Sequence, residues 1–345
     1  MGVMNEARSL KLSVPSGQPG LRLSTSAESR LILSGSRFQA QEVLRLDDLT
    51  VPIGIPKVSA APEKVVISRS GLTPAQLAET KEISDIEYHA DKRTATSTKL
   101  KTILRSGAHL KDMLESPRKE TDAMRLGTAL HSAVLEPDRF KVLYAVYRGK
   151  GDRGTKEYKD FVASHPHMRI LTASDYGKVI KMRDAVLSFK DPTRPAFDLG
   201  CVISMSEREK TLEWVDAETG VPCKIRLDIL NRAFIGDIKK CQDARRVPFG
   251  YHCFDMDYDV QAAMYRDGVE KVLGLKLPFN FIAVEEKCAN AVCIYTAPQA
   301  MLEEGHRRYR QAIHRYAECL ATDKWPGYES PIDEGFWPTH RRRNQ

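Results

Sequence analysis

The chain has 345 residues, 42% of them hydrophobic and 29% charged, with a formal net charge of +7. That length and apolar content allow a sizeable core in one large or two ordinary domains, and the mild positive charge favours a polyanionic partner without establishing one. Seven cysteines, an odd number with no CxxC pair, argue against a disulfide framework, and neither a run of about 18 apolar residues nor a signal-peptide core is present, so the expectation is a soluble cytoplasmic protein.

Residues 1–80 are rich in Ser, Pro, Gly and charge, with only short apolar runs such as RLILS and VPIGIP. They predict a poorly ordered or loosely docked arm, and residues 81–345 a second region with a basic tail, HRRRNQ. Within it, Ser97 is expected to cap one helix running through LKTILRSGAHLKDML, where apolar residues recur at three and four. Asp122 is expected to cap a second, AMRLGTALHSAVLE, stopped by Pro137, and SDYGKVIKMRDAVLSF reads as a third. Strand-like segments KTLEWVD, VPCKIRLDIL and AFIGDIKK follow, then a helix VQAAMYRDGVEKVLG, two more strands FNFIAVEE and AVCIYTA, and a long helix from near Pro298 toward Leu320. This order predicts an α/β (α+β) fold with a central mixed β-sheet flanked by helices.

In KIRLDIL, Ile225, Leu227 and Ile229 alternate with Lys224, Arg226 and Asp228, the pattern of a half-buried strand. A short turn at Asn231-Arg232 leads into FIGDIKK, where Asp237 and Lys239 are two apart and point the same way. Neighbouring antiparallel strands would then bring Asp228 and Asp237 together, a hard-oxygen site suited to Mg²⁺ or Mn²⁺, with Lys239 placed to orient a water or offset charge on a phosphate. Without such compensation the same residues make a solvated Lys–Asp ladder of little energetic consequence. Gly127 and His131 share a helix face, with the glycine expected to admit a close backbone beside the histidine; Gln261 and Tyr265 share another. Glu209 and Glu213 sit on or just before the preceding strand; a surface position is the expectation, with one of them reaching the site as the alternative. Lys99, Lys101 and Arg105 on the first helix and Arg307, Arg308 and Arg310 on the last make either a duplex-facing patch or a solvated face.

The order G-x-x-x-H, Asp, D-x-K, Q-x-x-x-Y resembles the motif series of the PD-(D/E)xK nuclease superfamily, RecB-like branch. GTALHSAVLEPDRF, EWVDAETGVPCKIRLDIL, IGDIKKCQDA, YDVQAAMYRDGVEKVLG, the late Asp323-Lys-Trp-Pro and the opening segment EISDIEYHA extend the resemblance to RecE-type (exonuclease VIII) nuclease domains over about residues 82–328. The resemblance implies a Mg²⁺-dependent exodeoxyribonuclease, with Mn²⁺ able to substitute, degrading linear duplex DNA 5′→3′ to leave 3′ tails for recombination by strand annealing. It implies His131, Asp228, Asp237 and the Ile238 backbone carbonyl as metal ligands, Lys239 positioning the attacking water, and Gln261, Tyr265 and Gly127 supporting the site or touching DNA. The implied partners are duplex ends, a RecT-like annealing protein and further copies of the chain in a homo-oligomeric ring, in a bacterial cytoplasm with a phage or prophage source. The iron–sulfur members carry four cysteines bracketing the motifs, three of them clustered at the end; Cys288, Cys293 and Cys319 do not show that clustering and no cysteine precedes Gly127, so no cluster is expected. The same core would serve an endonuclease or a single-strand nuclease, and a non-catalytic DNA-binding assembly protein is the alternative from another class.

Overall fold

The structure is a computed structural model that describes residues 91–328 apart from 92, 117–119, 151–152 and 288. The expected N-terminal arm, the EISDIEYHA segment and the HRRRNQ tail lie outside the described residues.

The first expected helix is two: α1, Ser97–Arg105, and α2, Gly107–Glu115. Thr96, not Ser97, caps α1. Ser106 breaks the run because its backbone is extended (φ −175°, ψ 160°) and its hydroxyl accepts from the His109 N–H, capping α2. Helix α3, Asp122–Leu135, starts at a Thr121 cap one residue before the expected one. Pro137 both ends it and opens the short α4, Pro137–Leu143.

A parallel pair follows, β1 (Tyr144–Tyr147) with β2 (Arg169–Thr172), connected through α5 (Lys156–Ser164). Helix α6 (Ala173–Leu187), the small hairpin β3 (Lys190–Asp191) and β4 (Arg194–Asp198), and α7 (Leu199–Met205) lead to the main sheet. Only α6 of this group is legible in the sequence; the strands and α7 are too short for a period to show, and α5 has no buried residue to mark one.

The main sheet comprises β5 (Glu207–Val215), β6 (Pro222–Leu230), β7 (Ile235–Cys241), β8 (Phe279–Glu285) and β9 (Val292–Thr296), in that spatial order. Its pairs are antiparallel except β7–β8, which are parallel across a connection carrying α8 (Arg246–Asp255) and α9 (Tyr258–Leu273). Helix α10, Gln299–Thr322, closes the order. The expected mixed sheet flanked by helices is therefore the fold.

Alternation assigns the faces along β7 and β8, whereas β6 changes phase between Leu227 and Ile229, beside Asp228. Ile225, Leu227, Phe279 and Phe281 pack with Leu100, Ile103, Val260, Met264, Tyr309 and Tyr316 of α1, α9 and α10. Ile229, Ile238, Ile282 and Val284 pack on the other side with Leu130, Val134, Met182, Val186 and Val202 of α3, α6 and α7. Two glycines set how closely α9 is packed: a Cβ at Gly305 of α10 would collide with the Asp259 carbonyl, and one at Gly268 would sit 2.7 Å from the Trp214 ring. No helix among the described residues is long and apolar enough to cross a membrane.

Candidate active site

The site forms where β6 and β7 part. The turn between them is pinned by Asn231, whose side-chain oxygen accepts from the N–H of Ala233 (2.8 Å) and Phe234 (3.0 Å). Two rungs follow, Leu230 opposite Ile235 and Ile229 opposite Gly236. The next position sets Asp228 across from Asp237, and there the ladder stops. The Ile238 N–H donates to Asp228 Oδ2 at 2.7 Å instead of to a β6 carbonyl. In a strand the N–H and C=O of one residue point to the same edge, so the Ile238 carbonyl faces the same fork.

His131 reaches the fork from α3, with Nε2 3.0 Å from Asp228 Oδ2 and Nδ1 2.8 Å from the Gly127 carbonyl. Gly127 thus acts through its carbonyl. The close backbone approach expected of it is absent among the described residues, since a Cβ there would meet nothing within 4 Å.

Asp237 is 2% exposed. Its Oδ1 accepts from Gln261 Nε2 of α9 at 2.8 Å. Its Oδ2 contacts Lys239 Nζ, as the two-residue spacing predicts. Lys239 also lies 4.6 Å from the centre of the Tyr258 ring. Tyr265, one turn beyond Gln261, packs in the core with its ring 6.1 Å from Phe279.

Two residues outside the motif series lie at the site. Glu209, expected at the surface, lies on β5 between the rungs Arg208–Ile229 and Lys210–Leu227, hence across from Asp228. Its φ of 52° is left-handed, uncommon for a non-glycine and shared with Asp257, Asn290 and Asp323. Counting back from the rung Val215–Pro222 at the DAETG turn reaches this pairing, and that count was the available signal. Glu213 is exposed as expected. Lys101, on α1, donates to the Met256 carbonyl at 3.2 Å and lies 5.4 Å from the same Tyr258 ring centre as Lys239.

The other basic residues are engaged elsewhere. Lys99 is buried and donates to the carbonyls of Asp91 and Thr94, both at 2.8 Å. Arg307 pairs with Glu304, Arg308 with Asp257 and Asp259, and Arg310 with Asp216 and Glu218. Arg308 and Arg310 are therefore held by carboxylates, whereas Arg307 stays on a solvated face beside Glu304; of the α1 cations only Arg105 is exposed.

The fork drives its titratable groups apart. Burial raises Asp237, and the Asp228 charge adds to this against the pull of Lys239 and His131. Burial also opposes the Asp228 charge, but His131, Lys239 and the Ile238 N–H hold it below the usual carboxylate range. His131 loses to burial and gains more from Asp228, ending at about 10. Burial and then Asp228 push Glu209 up to about 8. Lys239 is held well above the ordinary lysine range, burial being outweighed by Asp237, Tyr258 and Asp228, and so stays an ammonium.

Among the described residues no group of three or more His, Cys, Asp or Glu side chains forms a ready metal cage. The donor set at the fork nevertheless fits a divalent cation. Asp237 Oδ2 is a buried carboxylate oxygen with no hydrogen bond beyond its contact with the Lys239 ammonium, and the His131 ring is held through Nδ1 so that Nε2 faces Asp228.

Among solved structures, a crystal structure of a candidate exonuclease from Eubacterium rectale aligns with a TM-score of 0.50 at 14% identity, covering 73% of this chain and 92% of that one. That likeness supports the fold described above. A second, SSO0001, reaches a TM-score of 0.25 at 13% identity over 63% of this chain and 84% of that chain, too low to bear on the fold. No curated protein matches. Residues 96–333 match the profile of the PDDEXK-like domain of unknown function DUF3799, and the chain belongs to that family.

Proposed function

We propose that this protein is a divalent-metal-dependent exodeoxyribonuclease that degrades linear duplex DNA 5′→3′ and leaves 3′ single-stranded tails. The observation that carries the nuclease reading is the fork itself: Asp228 and Asp237 at the first unpaired position of β6 and β7, with His131 and Lys239 on them. The polarity, the ring of identical subunits, the strand-annealing partner and the place in recombination rest on the resemblance of the motif series to RecE-type domains.

His131 Nε2, carboxylate oxygens of Asp228 and Asp237 and the Ile238 carbonyl would hold the cation. When bound, it supplies charge stabilisation at the phosphoryl oxygens and activates water. Hydrolysis adds a hydroxyl to phosphorus and a proton to the leaving oxygen. Lys239, an ammonium over the working pH range, acts as a donor that orients the attacking water and offsets phosphoryl charge; it is not the base. Gln261 keeps Asp237 turned toward the fork by holding Oδ1. The Gly127 backbone carbonyl holds the imidazole in place through Nδ1.

The test is linear duplex DNA in Mg²⁺, labelled at the 5′ or the 3′ end, beside a closed circle. Early loss of the 5′ label with an intact circle is the expected result. A nicked circle would turn the reading to an endonuclease, and binding without cleavage in Mg²⁺ or Mn²⁺ would overturn catalysis.

A further inference from the structure

We propose that Lys101 is a DNA-phosphate ligand of this site, contributed by α1 and serving the phosphate that Lys239 addresses or the one next to it. The proposal rests on the nuclease reading above and adds a substrate-contacting residue outside the motif series.

The two ammonium groups share one platform. Lys239 lies 4.6 Å and Lys101 5.4 Å from the centre of the Tyr258 ring, so they are no more than 10 Å apart. One strand of duplex DNA carries a phosphate every ~3.4 Å of axis, so both cations can act on one short stretch of backbone.

Their surroundings differ. Lys239 has Asp237 as an ion-pair partner. Lys101 is half-buried, donates to the neutral Met256 carbonyl and makes no ion pair among the described residues. Asp237, Asp257 and Asp259 attract it from a distance, but Asp257 and Asp259 are bound by Arg308. Burial, and after it the charge of Lys239, pushes Lys101 down to about 8. A cation kept near a second cation without its own counter-ion is unfavourable until an anion arrives, and a phosphate is the anion a nuclease brings. Lysine suits this task as a mobile point charge with three donors.

The alternative is structural: Lys101 fastens α1 to the joint between α8 and α9 through Met256. The experiment separates the two. Wild type, Lys101→Met and Lys101→Arg are compared for binding to a linear duplex with Ca²⁺ in place of Mg²⁺, across a series of salt concentrations, and for kcat and KM in Mg²⁺. A phosphate ligand predicts that Lys101→Met lowers the slope of log K against log salt by about 0.9. It also predicts a roughly tenfold higher KM, with Lys101→Arg retaining the wild-type slope. A Lys101→Met protein with the wild-type slope overturns the proposal, whatever its melting temperature, and leaves the nuclease reading standing. A wild-type protein that neither binds nor cuts the duplex overturns both.

Discussion

Replacing Asp228 by Asn changes almost no volume and tests the fork directly. The amide oxygen can still accept from the Ile238 N–H, which Asp228 Oδ2 takes at 2.7 Å, but the charge opposite His131 is gone. His131 stands at about 10 against an ordinary 6.5, and at ~1.36 kcal/mol per unit this caps the pair near ~5 kcal/mol. Solvent reaches the imidazole, whose side chain is 28% exposed, so a loss of about 3 kcal/mol at pH 6 is the expectation for truncating such a pair. The His131 value in the fold lies above its ordinary one, so its contribution is complete below pH 6.5 and is lost as pH rises through about 10. Glu209, raised from 4.5 to about 8 by burial and then by Asp228, changes in the same direction. Asp228→Asn should therefore cost most at pH 6 and distinctly less at pH 10, read by urea denaturation at both, and should abolish cleavage of a linear duplex. An equal loss at both pH values would refute the ion-pair reasoning, and cleavage at the wild-type rate would refute the site.

Lys239→Met should lose cleavage by a factor of at least ~10² while retaining duplex binding in a Ca²⁺ gel shift; a variant that still cuts normally removes Lys239 from the mechanism. Because His131 Nε2 must shed its proton to ligate, Mg²⁺ or Mn²⁺ affinity should rise from pH 6 to pH 9 with about one proton released, measured by titration calorimetry in buffers of different ionisation enthalpy; a flat profile excludes the imidazole as a ligand. Gln261→Leu frees Asp237 Oδ1 from its 2.8 Å partner and should weaken metal binding about 10–100-fold; unchanged affinity would leave Gln261 a packing residue only. Gly305→Ala drives a Cβ into the Asp259 carbonyl and should cost ~3 kcal/mol or more in thermal unfolding; an unshifted melting temperature would contradict the α9–α10 contact.

The candidate site residues His131, Asp228, Asp237, Lys239 and Gln261 each sit on a local period that gives their element and face, while their proposed roles come from the resemblance of their order to the nuclease motif series. Alternation in KIRLDIL and FIGDIKK assigns strands, and spacing of four assigns the helix faces of Gly127–His131 and Gln261–Tyr265. Those periods follow from backbone geometry within a few residues, so the chain order alone carries them, and with them the mixed sheet flanked by helices. Residues whose role depends on which distant segment lies beside them were not legible. Glu209 needs the β5–β6 register and a left-handed backbone to meet Asp228. Ser106 interrupts a helical period through its extended backbone and its own cap. Arg308 and Arg310 read as a basic patch until folding places Asp257, Asp259 and Asp216 against them. Lys101 reads as one more charge on a helix until α1 packs near Tyr258. Periodicity tells which way a side chain points along its own element; only the tertiary structure decides what charge it finds there, because ion pairs, burial and like-charge repulsion are set by through-space neighbours.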